Sequence, residues 1–521
     1  MRLPASLAAA LALLLALATS CSHPRAPKIS EQEARTSRVF LSFEHQGPPA
    51  LRAFLVDFPK GADLHVHLSG AIYAETFIRD AAQDGLCVDP AALKFVQPPC
   101  GSKLVAASTL SGNIAPASQD LYDRLVDAFS LRSFVPMPSL SGHDQFFSTF
   151  ARFGGLKASH IGEWVDEIAA RSAAQNQQYL ELMHTPPFGH AAQVAQQVGW
   201  NPDLPTLRQK LLDHGLFDEV PADRDSVLGA NSARNAIEHC GTPQATPACQ
   251  VEVRYIYQIL RGFSPEQVFA QTLLGFQTIQ ASMDAGDNTW VGINFVMPED
   301  GFVSMRDYTL QMQMLDYLHT LYPKVPISLH AGELTSGLVP PEGLRFHIRQ
   351  AVELGHAQRI GHGVDIMEED YAPQLLREMG RKHVMVEINL SSNEGILDVK
   401  GDDHPFPIYR LNHVPVALST DDEGVSRIDI THEYVRAAID YNLTYQDIKQ
   451  LARTGMEHDF LPGPSLWAQP DLFTYAVQQC KGDTLGTDDP SSSCKSFLDG
   501  SQKAQAQWEQ ERRFRLFESK Y

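Results

Sequence analysis

Short apolar runs alternate along this chain with longer stretches whose apolar residues recur at three- and four-residue spacing. The short runs predict buried strands at 62–68, 178–184, 251–258, 290–296, 326–330, 359–363, 384–389 and 414–420. The longer stretches predict intervening helices, among them 265–282, 305–321, 344–354, 368–379 and 428–441. Eight strands, most followed by a helix, are the pattern of a closed parallel (β/α)8 barrel. Its span of about 380 residues suits a barrel with insertions. A doubly wound sheet would alternate too, but no GxGxxG follows the first strand, so a dinucleotide fold has little support.

The flanks differ in texture. Residues 22–47 are polar and mixed, which suits a tether followed by a first helix, and 73–84 reads as the helix after strand one. The stretch 87–117 is rich in Pro, Gly, Ser and Ala, with little periodicity. Helical spacing resumes at 118–131, 143–153 and 161–175. Residues 444–521 carry helical segments without a strand signal and read as helices covering the barrel, ending in a solvated run at 504–520. The expected organisation is a leader at 1–20, a tether at 21–47, a barrel at 48–443 with an insertion at 87–150, and a helical extension at 444–521.

The leader changes how the cysteines read. Arg2 precedes an apolar run, 7–18, that closes with Ala18, Thr19, Ser20 and Cys21. That is the shape of a secretory signal, and small residues before Cys21 resemble a bacterial lipoprotein box with Cys21 as the lipidated residue. The expected location is the periplasm or an outer membrane reached through that lipid, otherwise the exterior. In an oxidising compartment the six remaining cysteines fall into neighbouring pairs: Cys87 with Cys100, Cys240 with Cys249, Cys480 with Cys494. Buried free thiols are the alternative. No CxxC occurs, which disfavours thiolate metal chemistry. The formal charge of −20 over 521 residues argues against nucleic acid as a partner, because polyanions call for a basic face.

The chemistry concentrates at strand ends. In DLHVHLSG, His65 and His67 lie two apart on strand one and emerge on one face, as two nitrogens for one metal would. Among 20 histidines such a pair could arise by chance. Strand five, however, ends in HAGE, with His330 and Glu333. Strand six holds His362 in RIGHG, and strand eight ends in STDD, with Asp421 and Asp422. Each alone could cap a helix or satisfy a core contact. A parallel barrel opens all its strand C-termini on one face, so jointly these residues converge.

DLHVHLSG, HAGE, RIGHG and STDD, in this order, resemble the adenosine deaminase family of the amidohydrolase superfamily over about residues 59–430. Length, leader and the long segment after strand one are most similar to its secreted, growth-factor-related branch. The resemblance implies one zinc per chain held by His65, His67, His330 and Asp421, with a position left for water. It implies that His362 orients that water and accepts its proton, and that Asp421 belongs to the catalytic set. Glu333 would protonate N1 of the purine as hydroxide attacks C6, which calls for a raised pKa. Asp422 would hold N7, and His67 would border the substrate. The implied reaction turns adenosine or 2′-deoxyadenosine into inosine or deoxyinosine and ammonia. Rivals are an amidohydrolase for adenine, AMP or a modified adenosine, and a non-catalytic extracellular nucleoside-binding protein. The implied partner is a small purine nucleoside, with a homodimer open.

Three positions depart from the family pattern. Met297 stands where the family has a glycine that contacts the purine. Glu423 replaces the proline after TDD, and Asn393 in EINLSSN suggests a supporting polar group. His184 ends strand two with Glu181 just before it, and the pair is expected to face the site and touch the ribose. His190, His239, His356 and His404 lack motif partners and read as packing or surface residues. Phe146, Phe147, Phe150 and Phe153 follow helical spacing and read as core.

Overall fold

The computed structural model describes residues 29–112 and 115–521. The leader and Cys21 lie outside them. Eight parallel strands form the centre: β1 (Gly61–His67), β2 (Gln177–His184), β3 (Glu252–Leu260), β4 (Trp290–Val296), β5 (Ser328–Ala331), β6 (Arg359–His362), β7 (Met385–Ile388) and β8 (Val416–Leu418). They make two ladders, β1 to β4 and β5 to β8. Parallel bridges Ile293 to Ile327 and Val66 to Asp421 join the ladders into a ring. At the second seam His67 donates its N–H to the Asp421 carbonyl at 3.1 Å, and Asp421 donates to that of His65 at 2.8 Å. The fold is therefore a (β/α)8 barrel, and the last seam forms at the residues that carry the chemistry.

The barrel floor is apolar. Ala62, Leu64, Tyr179, Met385 and Ala417 from the strands pack against Met456 and Leu461 from the C-terminal part. The helix expected at 368–379 runs from Ala372 to Lys382, because Pro373 fits only in a first turn. The stretch 87–117 is not featureless. It holds an antiparallel sheet of Cys87–Asp89 between Lys94–Val96 and Val105–Ala106.

The run at 504–520 is a correction. It forms the helix Gln502–Glu518 and buries Trp508, Phe514 and Phe517, so it is packed rather than solvated. Its buried polar groups hide that stripe in the sequence, and three of them are paired: Glu511 with Arg453 at 2.7 Å, Glu518 with Lys449 at 2.6 Å, and Gln507, which donates to Glu457 at 2.7 Å. Disulfides join Cys87 to Cys100, Cys240 to Cys249 and Cys480 to Cys494, the neighbouring pairs read from the spacing. Among the described residues no helix is long and apolar enough to cross a membrane.

Candidate active site

Side chains alternate along a strand, so Asp63, His65 and His67 of β1 all point into the barrel. They meet His330 at the end of β5 and Asp421 just beyond β8. His67 Nε2 lies 3.2 Å from His330 Nε2 and 3.2 Å from Asp421 Oδ1, and His65 Nε2 lies 3.6 Å from the same oxygen. Gly361 of β6 makes room, since a Cβ there would sit 2.6 Å from His65 Cε1. All these groups are buried.

The outer ring nitrogens set the tautomers. His65 Nδ1 is 2.6 Å from Glu387 Oε2, His67 Nδ1 3.0 Å from Gln258 Oε1, and His330 Nδ1 2.9 Å from Asn294 Oδ1. Each Nδ1 thus donates to an oxygen, which turns an Nε2 lone pair toward Asp421. His65 Nε2 is buried and has no hydrogen-bond partner. Burial pulls His65 down, yet Asp421 and Glu387 push it up to about 10. Two overlapping clusters share Asp421, one with His65, His330 and His362 and the other with His67 and Asp422, and this gathering of imidazoles and carboxylates fits a divalent cation with mixed nitrogen and oxygen ligands.

His362 differs. Its Nδ1 lies 2.8 Å from Asn393 Nδ2, while Asn393 Oδ1 lies 3.0 Å from His404 Nε2. His404 Nδ1 accepts the Phe406 N–H at 3.1 Å, so its proton sits on Nε2. That orients the Asn393 amide, which donates to His362. Neutral His362 then carries its proton on Nε2, 3.5 Å from Glu333 Oε1 and 3.9 Å from Asp421 Oδ2. Burial, with the nearby His65 and His67, lowers it to about 3, so it stays neutral.

The carboxyls separate into two kinds. Burial, then the charges of Asp421 and Glu299, push Glu333 well above the usual carboxylate range. Burial and Asp421 do the same to Asp422, whose Oδ1 has no partner. Burial would also raise Asp421, but the imidazoles of His65 and His67 hold it well below. The carboxyls facing this one space are thus pushed in opposite directions, Asp421 down and Glu333 and Asp422 up. Glu299 supports it from behind, accepting the N–H groups of Gly332 and Glu333 at 3.0 and 2.9 Å.

That space is a cavity of about 340 Å³ bordered by His67, His330, Glu333, His362, Asp421 and Asp422. The opposite wall is apolar. Phe147 and Phe150, expected in the core, are half-buried there, because the helix Gly142–Phe150 lies over the barrel mouth. Phe146 joins them, and Leu260, Val296, Met297 and Pro298 complete the wall.

Glu181 and His184 do not border the cavity. Their sequence parity is opposite, so they cannot face one site together. His184 turns outward and stacks beside Trp290 at 6.2 Å. Glu181 points inward but deeper, pairing with Arg359 at 2.6 Å and accepting the Tyr179 hydroxyl at 2.8 Å and the Phe460 N–H at 2.6 Å. Arg359 also pairs with Glu387 at 2.7 Å, which in turn holds His65. Arg359→Met should leave two buried carboxylates unpaired, costing about 3–5 kcal/mol in denaturant unfolding and about tenfold in metal affinity. A variant with wild-type stability and metal content would contradict this.

The adenosine deaminase family model matches residues 222–467, a span that includes His330, His362 and Asp421 but begins after β1 and β2. An adenosine deaminase of Clostridium perfringens is 33% identical over 138 residues, 26% of this chain and 37% of that relative. The chain thus spans little more than a third of the curated relatives it matches. In structure it is similar to an amidohydrolase from Burkholderia ambifaria with bound Zn, at 15% identity and a TM-score of 0.51 over 84% of this chain and 91% of that one. It is also similar to Arabidopsis ADAL complexed with IMP, at 18% identity and a TM-score of 0.50 over 78% and 93%. These two likenesses concern the fold.

Proposed function

We propose that this chain, whose residues 222–467 match the adenosine deaminase family model, is an enzyme of that family that hydrolytically deaminates 6-aminopurine nucleosides, adenosine and 2′-deoxyadenosine first among them. The observation that carries this reading is the placement, beside one cavity, of a buried acid, Glu333, whose pKa is pushed well up, next to the imidazoles of His65, His67 and His330 gathered around Asp421. His65, His67, His330 and Asp421 would hold one zinc. When bound, zinc supplies Lewis acidity that makes water nucleophilic at neutral pH.

The remaining steps belong to the chain. Glu333 gives its proton to N1 as water adds at C6, which spares the ring a negative charge. Asp422, kept protonated, donates to N7 and fixes the ring in its plane. His362 directs the attacking oxygen through its Nε2 proton. His362 was first expected to take the water's proton; with Nε2 protonated in the neutral tautomer we give that proton instead to the Asp421 carboxylate, which passes it to the departing amino group, while the proton of the new C6 hydroxyl returns to Glu333. The amino group leaves as ammonia, and a 6-oxopurine nucleoside remains.

The lining residues include neither Lys nor Arg, which favours an uncharged nucleoside over AMP. The purified protein should lower the 265 nm absorbance of adenosine as the 6-oxopurine forms, and act far more slowly on AMP. Equal rates on AMP would move the reading to a nucleotide deaminase, and no loss on any 6-aminopurine with zinc supplied would leave a binding protein. The leader and three disulfides support export, with lipidation at Cys21 as the anchor.

A further inference from the structure

Met297, just beyond β4, has a φ of 89°, the largest among the non-glycine residues with positive φ in the described chain. L side chains seldom adopt that conformation, and it persists only where the surroundings over-determine it. Here they do. The Met297 carbonyl accepts from Arg261 Nε at 3.4 Å, and the same guanidinium donates to the His330 carbonyl at 3.2 Å. Two residues on, Glu299 holds the backbone of Gly332 and Glu333, and Asp300 lies 3.0 Å from His143 Nε2 on the helix over the mouth.

The side chain is fixed as well. Met297 Sδ accepts the Gly262 N–H at 3.3 Å. Gly262 is bare where the thioether lies on it, since a Cβ there would meet Met297 Cε at 2.7 Å. A strained backbone and a glycine in the neighbouring loop thus combine to hold one methionine, 38% exposed, on the cavity wall.

Its place in the ring of strands indicates what it faces. The proposed function puts C6 at the metal cluster, N1 at Glu333 after β5 and N7 at Asp422 after β8. The ring then extends toward Gln258 and Leu260 of β3 and Val296 of β4. Passing from β5 to its neighbour β4 follows the purine edge from N1 to C2. We propose that Met297 is a specificity-determining residue that closes the cavity at C2 and restricts it to purines bearing only hydrogen there. The inference rests on the purine reading of the site.

Inosine and guanosine differ only by an amino group at C2, so their binding isolates this contact without catalysis. In calorimetric titrations of the zinc-loaded full chain, inosine should bind at least about tenfold more tightly than guanosine. Met297→Gly should erase most of that preference, with a thermal unfolding midpoint at or above wild type, because glycine accepts the φ freely. Met297→Ala should relax the preference while keeping a Cβ at the strained position. Equal wild-type binding of the two nucleosides, or a preference that survives both substitutions, overturns the inference alone. A wild-type protein that binds neither overturns the purine reading and the inference with it.

Discussion

Glu333→Gln should lower kcat by about 10²- to 10⁴-fold, the range that positioned proton donors contribute, while metal content and thermal midpoint stay near wild type. The split follows from the environment. Burial and two nearby carboxylates push the Glu333 pKa well up, and a neutral amide of the same shape adds no buried charge. What the amide cannot do is release a proton to N1. The sign of the pH dependence follows too: the reaction uses the protonated acid, so activity falls as pH rises through its elevated pKa. Metal analysis, a thermal melt and steady-state kinetics on one preparation check all three points. Near-normal turnover in the variant would remove Glu333 as donor.

Chelation should bring turnover to background and lower the unfolding midpoint, and added zinc should restore both. Any ion that binds only the folded chain stabilises it by mass action, by about 4 kcal/mol when free metal exceeds its Kd a thousandfold. The effect should be large here because Asp421, Glu387 and the partnerless His65 Nε2 are buried together, and a cation offsets their mutual cost. Metal analysis should return one equivalent per chain. Full activity in protein stripped below a tenth of an equivalent would refute the metal assignment.

The strands and the innermost residues were legible because histidine and aspartate interrupt apolar runs at strand ends, where an unpartnered polar group is costly. The supporting layer was legible in principle and missed in practice. Gln258, Asn294 and Glu387 are single polar residues at inward positions of the apolar strands YIYQIL, GINFV and MVEI, and each holds one imidazole of the cluster, that of His67, His330 and His65 in turn. His404, read as packing, is buried and orients Asn393, a link that arises only when the loop after β7 folds back. The parity of β2 could have separated Glu181 from His184. The aromatic run at 146–153 could not be divided between core and cavity wall, since helical spacing names a face but not what lies opposite.

The floor of the barrel has a consequence for synthesis. Phe54, on the helix Pro48–Leu55, meets Phe517 of the last helix at 5.1 Å, and Phe58, just ahead of β1, meets Phe514 at 5.6 Å. Phe460 lies 3.8 Å under the Arg359 guanidinium, whose ion pair with Glu387 braces His65. A nascent chain lacking residues 502–518 would therefore expose an open ring of greasy strand ends. Cooperative closure of the barrel must wait until residues 502–518 have joined the fold.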